Sequence, residues 1–158
     1  MADPIRILFV CTGNICRSPS AEGVFRHMAR AAGLDGQVET DSCGLAGWHV
    51  GSPPTGTAQQ IAQARGYDLS DLRARAFDDR DFDRFDLILA MDDGHHAQLM
   101  RRAGEAHAPK VAMFLEAADA GRGDVPDPYY GGREDYEYAL DLIEAGCRGW
   151  LARLSESR

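Results

Sequence analysis

Ile5-Arg6-Ile7-Leu8-Phe9-Val10-Cys11-Thr12-Gly13-Asn14-Ile15-Cys16-Arg17-Ser18-Pro19 is the stretch whose reading decides the fold. Residues 5–10 are apolar at every position but Arg6, so they read as a strand buried on both faces rather than on one. Residues 21–32 read as a helix, with Ser18 as a good N-cap and Pro19 suited to the first helical position, where its missing N–H costs nothing. A strand, a tight loop and a helix in succession gather backbone N–H groups and the positive helix end around one small volume, which suits a dianion. Arg17 adds a planar fork for two phosphate oxygens, and Cys11 puts a nucleophile at the strand end. The expected chemistry is attack on a phosphate ester.

Outward from this stretch, apolar runs recur at 38–42, 87–91 and 110–114, and helical patterns lie at 52–65, 93–102 and from 133 to about 154. Strand–helix alternation predicts an α/β fold, a single three-layer domain over 1–158. It has a central four-stranded parallel twisted sheet, helices on both faces and the phosphate-binding loop after the first strand. The charged segment 68–84, with only Leu69, Leu72, Phe77 and Phe82 to bury, reads as a short helix plus loop. Residues 121–132, with Pro126 and Pro128, read as a surface loop without a core, of a length that usually carries function. Ligands of open parallel sheets sit outside the carboxyl ends of the strands, where Cys11, Ser42, Asp92 and the 121–132 loop converge.

With 158 residues there is material for one real core and not for two ordinary domains. Lys and Arg number 17 against 25 Asp and Glu, a formal charge of −8, which argues against a broad nucleic-acid surface. The positive field for a phosphate must then be local. No signal-peptide pattern and no membrane-spanning run is present, so the expected location is cytoplasmic, away from the membrane. Cys11, Cys16, Cys43 and Cys147 lack paired spacing, so neither a metal site nor a disulfide framework is expected, and no cofactor is called for.

Cys11-Thr12-Gly13-Asn14-Ile15-Cys16-Arg17-Ser18-Pro19, followed by Ala21-Glu22, resembles the signature loop of low-molecular-weight protein tyrosine phosphatases. Asp127-Pro128-Tyr129-Tyr130 is similar to that family's general-acid loop, and Asp41-Ser42, Trp48-His49-Val50-Gly51 and Ala90-Met91-Asp92 also look like its landmarks. The resemblance covers essentially the whole chain. It implies a protein tyrosine phosphatase acting on phosphotyrosine-containing proteins, with a tyrosine kinase as counterpart, as a monomer. One departure is Leu72 in Leu72-Arg73-Ala74-Arg75, where the family commonly has a loop-supporting histidine.

Each expected role competes with an ordinary one. Cys11 is read as the nucleophile rather than a buried thiol, because backbone donors, a helix end and Arg17 all favour an anionic sulfur. Arg17 is read as the clamp on the equatorial oxygens, where transition-state charge resides. Thr12 and Gly13 belong to the cradle, Gly13 allowing close backbone approach, and Asn14 tolerates a left-handed turn. Ser18 both caps the helix and donates to the Cys11 sulfur as it leaves, while the resemblance implies that Ser42 braces Asn14. For the acid, Asp127 and Asp124 compete. The resemblance favours Asp127, which Pro126 and Pro128 pin on both sides. Trp48, Tyr129 and Tyr130 are read as walls for a phenyl ring, with Ile15 as an apolar floor. Ile15 and the paired tyrosines favour phosphotyrosine, since the related arginine phosphatases carry threonine where Ile15 stands. The resemblance also implies a reversible Cys11–Cys16 disulfide that protects the nucleophile. Asp92 is read as a helix N-cap, Cys43 and Cys147 as structural, and His27, His95, His96 and His107 receive no role. Two other classes are weighed. A thiol-dependent arsenate reductase would need relay cysteines, and 80–95 holds none. A non-catalytic anion or redox sensor would need neither Asp127 nor an aromatic rim.

Overall fold

The computed structural model describes residues 3–118 and 123–156. Its four strands are β1 (Ile5–Cys11), β2 (Val38–Gly44), β3 (Leu87–Ala90) and β4 (Val111–Met113). All pair in parallel, in the order β2-β1-β3-β4. The helices are α1 (Arg17–Ala31), α2 (Gly56–Ala64), α3 (Asp81–Arg84), α4 (Asp93–His107) and α5 (Arg133–Glu156).

The period-2 geometry of a strand explains why β1 is apolar throughout. Ile7, Phe9 and Cys11 face one core, with Val24 and Phe25 of α1, Ile61 of α2 and Ile143 of α5. Leu8 and Val10 face the other, with Leu99 of α4 and Phe82 of α3. The sheet is thus a three-layer α/β domain with helices on both faces, as the alternation of runs predicts. None of the described helices is long and apolar enough to cross a membrane.

Several boundaries differ from the sequence reading, each for a physical reason. Helix α1 starts at Arg17 rather than at 21, and Cys16 occupies the N-cap position with no side-chain cap bond. Ser18 is therefore no cap, because its hydroxyl is engaged behind the loop. Pro19 instead falls at the third helical position, still within the turn whose N–H groups lack intrahelical acceptors. Helix α2 starts at Gly56 rather than 52: Pro53 and Pro54 keep the chain extended, and Thr55 caps the helix by accepting from the Ala58 N–H. Within 68–84 only α3 is helical, and Ala76 makes a lone parallel bridge to Gly44.

The 121–132 loop, of which Gly121 and Arg122 lie outside the described residues, is not without a core. Val125 is fully buried, and its N–H donates to the Met91 carbonyl at 2.8 Å, tying the loop to the end of β3. That anchor fixes where the following Asp127 can stand.

Candidate active site

The loop after β1 curls because its carbonyls are taken by its neighbours. Leu45 N–H donates to Cys11 O (3.0 Å), Ala46 N–H to Thr12 O (2.9 Å) and Thr55 N–H to Ile15 O (2.9 Å). In a trans peptide the next N–H points the opposite way, so these bonds turn the Thr12, Gly13 and Cys16 amides away from those neighbours. Gly44 permits the approach, since a Cβ there would lie 2.6 Å from the Thr12 carbonyl oxygen.

Asn14 holds the curl. It is the one non-glycine residue with positive φ (58°) among those described, a conformation its short polar side chain tolerates. Its Nδ2 donates to Ser18 Oγ (2.8 Å) and Ser42 Oγ (3.0 Å), and its Oδ1 accepts from Arg75 N–H (3.0 Å). Ser42 Oγ donates in turn to the buried Glu22 carboxyl at 2.8 Å. Burial pushes the Glu22 carboxyl up, against the Ser42 hydrogen bond and with the help of Asp41. Leu72 leaves no gap in this bracing: Arg75 N–H supplies a donor to Asn14, while its guanidinium is held by Asp41 and Asp81. Leu72 itself packs against the core.

The Cys11 sulfur receives Asn14 N–H at 3.3 Å and lies 3.0 Å from Ser18 Oγ. Ser18 has one proton for two acceptors, this sulfur and the Cys43 carbonyl at 3.3 Å. A thiolate is the stronger acceptor, so ionisation draws that proton to Cys11.

Arg17 is 3% exposed. Both protons of its Nη1 are used, to Asp92 Oδ2 and to Val125 O, each at 2.9 Å. Its Nη2 has only long contacts, 3.4 Å to Thr12 Oγ1 and 3.6 Å to Asp127 Oδ2. Its buried Nε has no partner among the described residues. The side-on fork of unpartnered Nε and loosely held Nη2 is therefore the available edge, the pair of donors that suits two oxygens of a phosphate.

Asp92 has two roles, of which sequence reasoning found one. Its Oδ1 caps α4 by accepting His95 N–H at 2.9 Å, and its Oδ2 holds Arg17. Burial opposes its charge, but the His95 N–H, the His95 ring and Arg17 outweigh that and hold the carboxyl below its usual range. His95, given no role by the sequence, is buried here with Nε2 2.7 Å from Thr12 Oγ1. Burial lowers its pKa to about 4, with Asp92 opposing and Arg17 adding to the shift. The fold of α4 against the loop creates this contact, and no spacing signal announces it.

The cleft floor is Cys11, Thr12, Gly13, Ile15, Cys16 and Arg17, and its rim is Trp48, His49, Asp127, Tyr129 and Tyr130. Asn14, Ser18 and Ser42 do not line it: they are braces behind the loop. The expected aromatic walls bound an open-sided cleft, with Trp48 77% and Tyr130 95% exposed. His49 belongs to the wall, its ring 6.0 Å from that of Tyr129, which meets Tyr130 edge-on at 4.8 Å. Asp127 accepts Tyr129 N–H at 3.1 Å within its turn and faces the cleft. The rival Asp124 is occupied elsewhere, accepting the Asp93 N–H at 2.9 Å.

Cys16 is a buried thiol beside Tyr136 OH (3.6 Å) and Thr55 Oγ1 (3.9 Å). Burial pushes it up to about 11 despite those two hydrogen bonds. Cys43 and Cys147 are buried thiols whose pKa burial likewise raises. Among the described residues no group of three or more His, Cys, Asp or Glu is placed to hold a metal ion.

Comparison with known proteins gives a consistent result. The family model for low molecular weight phosphotyrosine protein phosphatase matches residues 6–158. A low molecular weight protein-tyrosine-phosphatase of Streptomyces coelicolor is 46% identical over 155 residues, covering 96% of this chain and 94% of that one. The crystal structure of YfkJ from Bacillus subtilis superposes with a TM-score of 0.93 at 38% identity, covering 99% of this chain and 98% of that one. A protein tyrosine phosphatase from Entamoeba histolytica, crystallised with Hepes in its active site, gives a TM-score of 0.93 at 32% identity, covering 97% and 98%.

Proposed function

The chain belongs to the low molecular weight phosphotyrosine protein phosphatase family, and from that premise we propose that it hydrolyses phosphotyrosine through a cysteinyl-phosphate intermediate. The observation that carries this reading is the unpartnered Nε, beside a loosely held Nη2, of a buried arginine in the same cleft as a sulfur that accepts the Asn14 N–H and lies 3.0 Å from the Ser18 hydroxyl. The Cys11 thiolate attacks phosphorus in line, forming the S–P bond as the P–O bond to the phenol breaks. Asp127, as the acid, gives its proton to the departing oxygen. Arg17 and the loop N–H groups hold the three equatorial oxygens. Water then attacks phosphorus, Asp127 takes its proton, and the S–P bond breaks to release phosphate and the thiolate, which Ser18 stabilises. No step calls for a metal or a cofactor.

The aromatic rim supports a flat, long side chain as substrate. Phosphoserine is too short to reach the floor and has no ring to lay against Tyr129 and Trp48. Its partners on this reading are phosphotyrosine-containing proteins, with a tyrosine kinase as counterpart. On this reading the working unit is a monomer. A reducing compartment, the cytoplasm, suits a catalytic thiol.

Turnover of an aryl phosphate and of matched phosphotyrosine, phosphoserine and phosphoarginine peptides tests the reading. Phosphotyrosine should exceed the other two in kcat/KM by orders of magnitude, and Cys11→Ser should be inactive while still folded. Comparable rates on phosphoserine, or an active Cys11→Ser protein, would overturn it.

A further inference from the structure

Behind the phosphate-facing edge of Arg17 lies a ring of four side chains from three segments: Thr12 and Arg17 in and after the loop, Asp92 after β3, and His95 in α4. Arg17 Nη1 donates to Asp92 Oδ2 (2.9 Å), and Arg17 Nη2 lies 3.4 Å from Thr12 Oγ1. Thr12 Oγ1 meets His95 Nε2 at 2.7 Å. His95 Nδ1 sits 3.2 Å from Asp92 Oδ1, a bent contact that falls outside hydrogen-bond geometry.

The proton positions follow from charge and burial. A lone pair on Nδ1 would face a carboxylate oxygen 3.2 Å away in a buried setting, so the ring proton belongs on Nδ1. Nε2 then carries the lone pair and takes the Thr12 hydroxyl proton at the short 2.7 Å contact. A hydroxyl has only one proton. Having given it to His95, Thr12 can offer Arg17 nothing but lone pairs, which suits a guanidinium N–H and excludes Thr12 as a donor to phosphate.

We infer that His95 is a positioning residue for the phosphate clamp. By fixing the direction of the Thr12 hydroxyl and bearing on Asp92, it holds the guanidinium plane of Arg17 so that Nε and Nη2 present together to the transferring phosphoryl group. A neutral His95 also leaves Asp92 as the counter-charge of Arg17 rather than of an imidazolium. This rests on the phosphatase reading and adds to it a residue that touches no reacting atom.

The test is a double-mutant cycle of Thr12→Val and His95→Leu, with His95→Gln as the conservative variant, assayed on an aryl phosphate. Inhibition by vanadate, which adopts the five-coordinate geometry of the transition state, is compared with inhibition by inorganic phosphate. His95→Leu should lower kcat/KM by about 10- to 100-fold, the cost of a misplaced catalytic group, and weaken vanadate more than phosphate. His95→Gln, with a polar group in place of Nε2, should recover much of the loss. The double variant should be no worse than the more damaged single variant, because both remove one unit. A folded His95→Leu protein with unchanged kcat/KM overturns the inference, and so do additive losses, which would mean that Thr12 acts on phosphate independently. If His95→Leu does not fold, Thr12→Val decides: full activity and unchanged vanadate inhibition overturn the inference, while a loss rescued by Thr12→Ser supports it. An inactive wild-type protein would overturn the phosphatase reading itself, and an active wild type with an indifferent His95 overturns only this one.

Discussion

At Asn14 every polar atom of the side chain is spent on holding a left-handed turn, and the backbone N–H is spent on the Cys11 sulfur. Replacement by leucine would lose three hydrogen bonds in a buried place, where an unmet donor or acceptor costs more than a made one returns. Asp127 shows the opposite economy. It is half exposed, and among the described residues it accepts the Tyr129 N–H and has Arg17 at 3.6 Å, an arrangement that suits a carboxyl open to a leaving group. Asp127→Asn should reduce kcat by about 10²- to 10⁴-fold for basic leaving groups, the usual worth of a general acid. The loss should shrink as the leaving group becomes more acidic and needs no proton. Rates on a series of aryl phosphates check this, and a uniform loss across the series, or a larger loss from Asp124→Asn, would show that the acid is elsewhere.

Among the elements, α5 shows most clearly how packing overrides local preference. It carries Gly146 and Gly149, which helix propensity alone would replace by alanine for a gain of about 1 kcal/mol each. A Cβ on Gly149 would overlap the Ala117 carbonyl oxygen, and one on Gly146 would overlap the Phe114 ring. The glycines let α5 lie directly on the 3-10 turn at Phe114–Ala117, where Trp150 Nε1 donates to Phe114 O at 2.6 Å. Backbone cannot yield as a flexible side chain does, so overpacking costs of about 1–3 kcal/mol or more outweigh the propensity gain. Gly149→Ala should therefore lower the urea midpoint, and an unchanged or raised midpoint would refute the contact. Helix α4 is governed by a glycine in another way. At Gly104 the backbone leaves the helical region (φ 66°), which ends the regular helix close to the expected limit at 102.

For the molecule as a whole, parallel strands bring separate segments to one edge, and the site is the sum of their ends. Burying His95 there has a consequence for stability. Its pKa falls from 6.5 to about 4 on folding, so between those values the unfolded chain binds a proton that the folded one refuses. Stability from this group is whole above pH 6.5 and drains away as pH falls toward 4, by about 2–3 kcal/mol at pH 4.5. Glu22 works the other way: its raised carboxyl pKa makes folding less favourable as pH rises through it. Comparing wild type with His95→Gln isolates the histidine. Urea melts at pH 7 and 4.5 should show wild type losing more stability on acidification than the variant, and equal losses would mean that His95 is protonated in the folded protein.

The architecture and the chemistry-bearing loop are legible in the chain alone. Both rest on local rules: a run apolar at every position needs two covered faces, and a cysteine–arginine loop between strand and helix makes an anion cradle. The chain also singles out Cys11 and Arg17 as candidates by residue type, while Asp127 is preferred to Asp124 only through the family resemblance. What holds these groups still is a matter of packing in three dimensions. Ser18 reads as both a cap and a sulfur donor in one dimension; in three it is no cap, and its hydroxyl lies 3.0 Å from the Cys11 sulfur with Asn14 and Cys43 beside it. Val125 looks like loop and is an anchor, Leu72 is harmless because Arg75 N–H comes to Asn14, and His95 is silent until α4 lays it on Thr12. Such contacts join residues up to 108 positions apart, as between Arg17 and Val125. Their partners are chosen by the packing of whole elements, a non-local quantity that no spacing in the chain encodes.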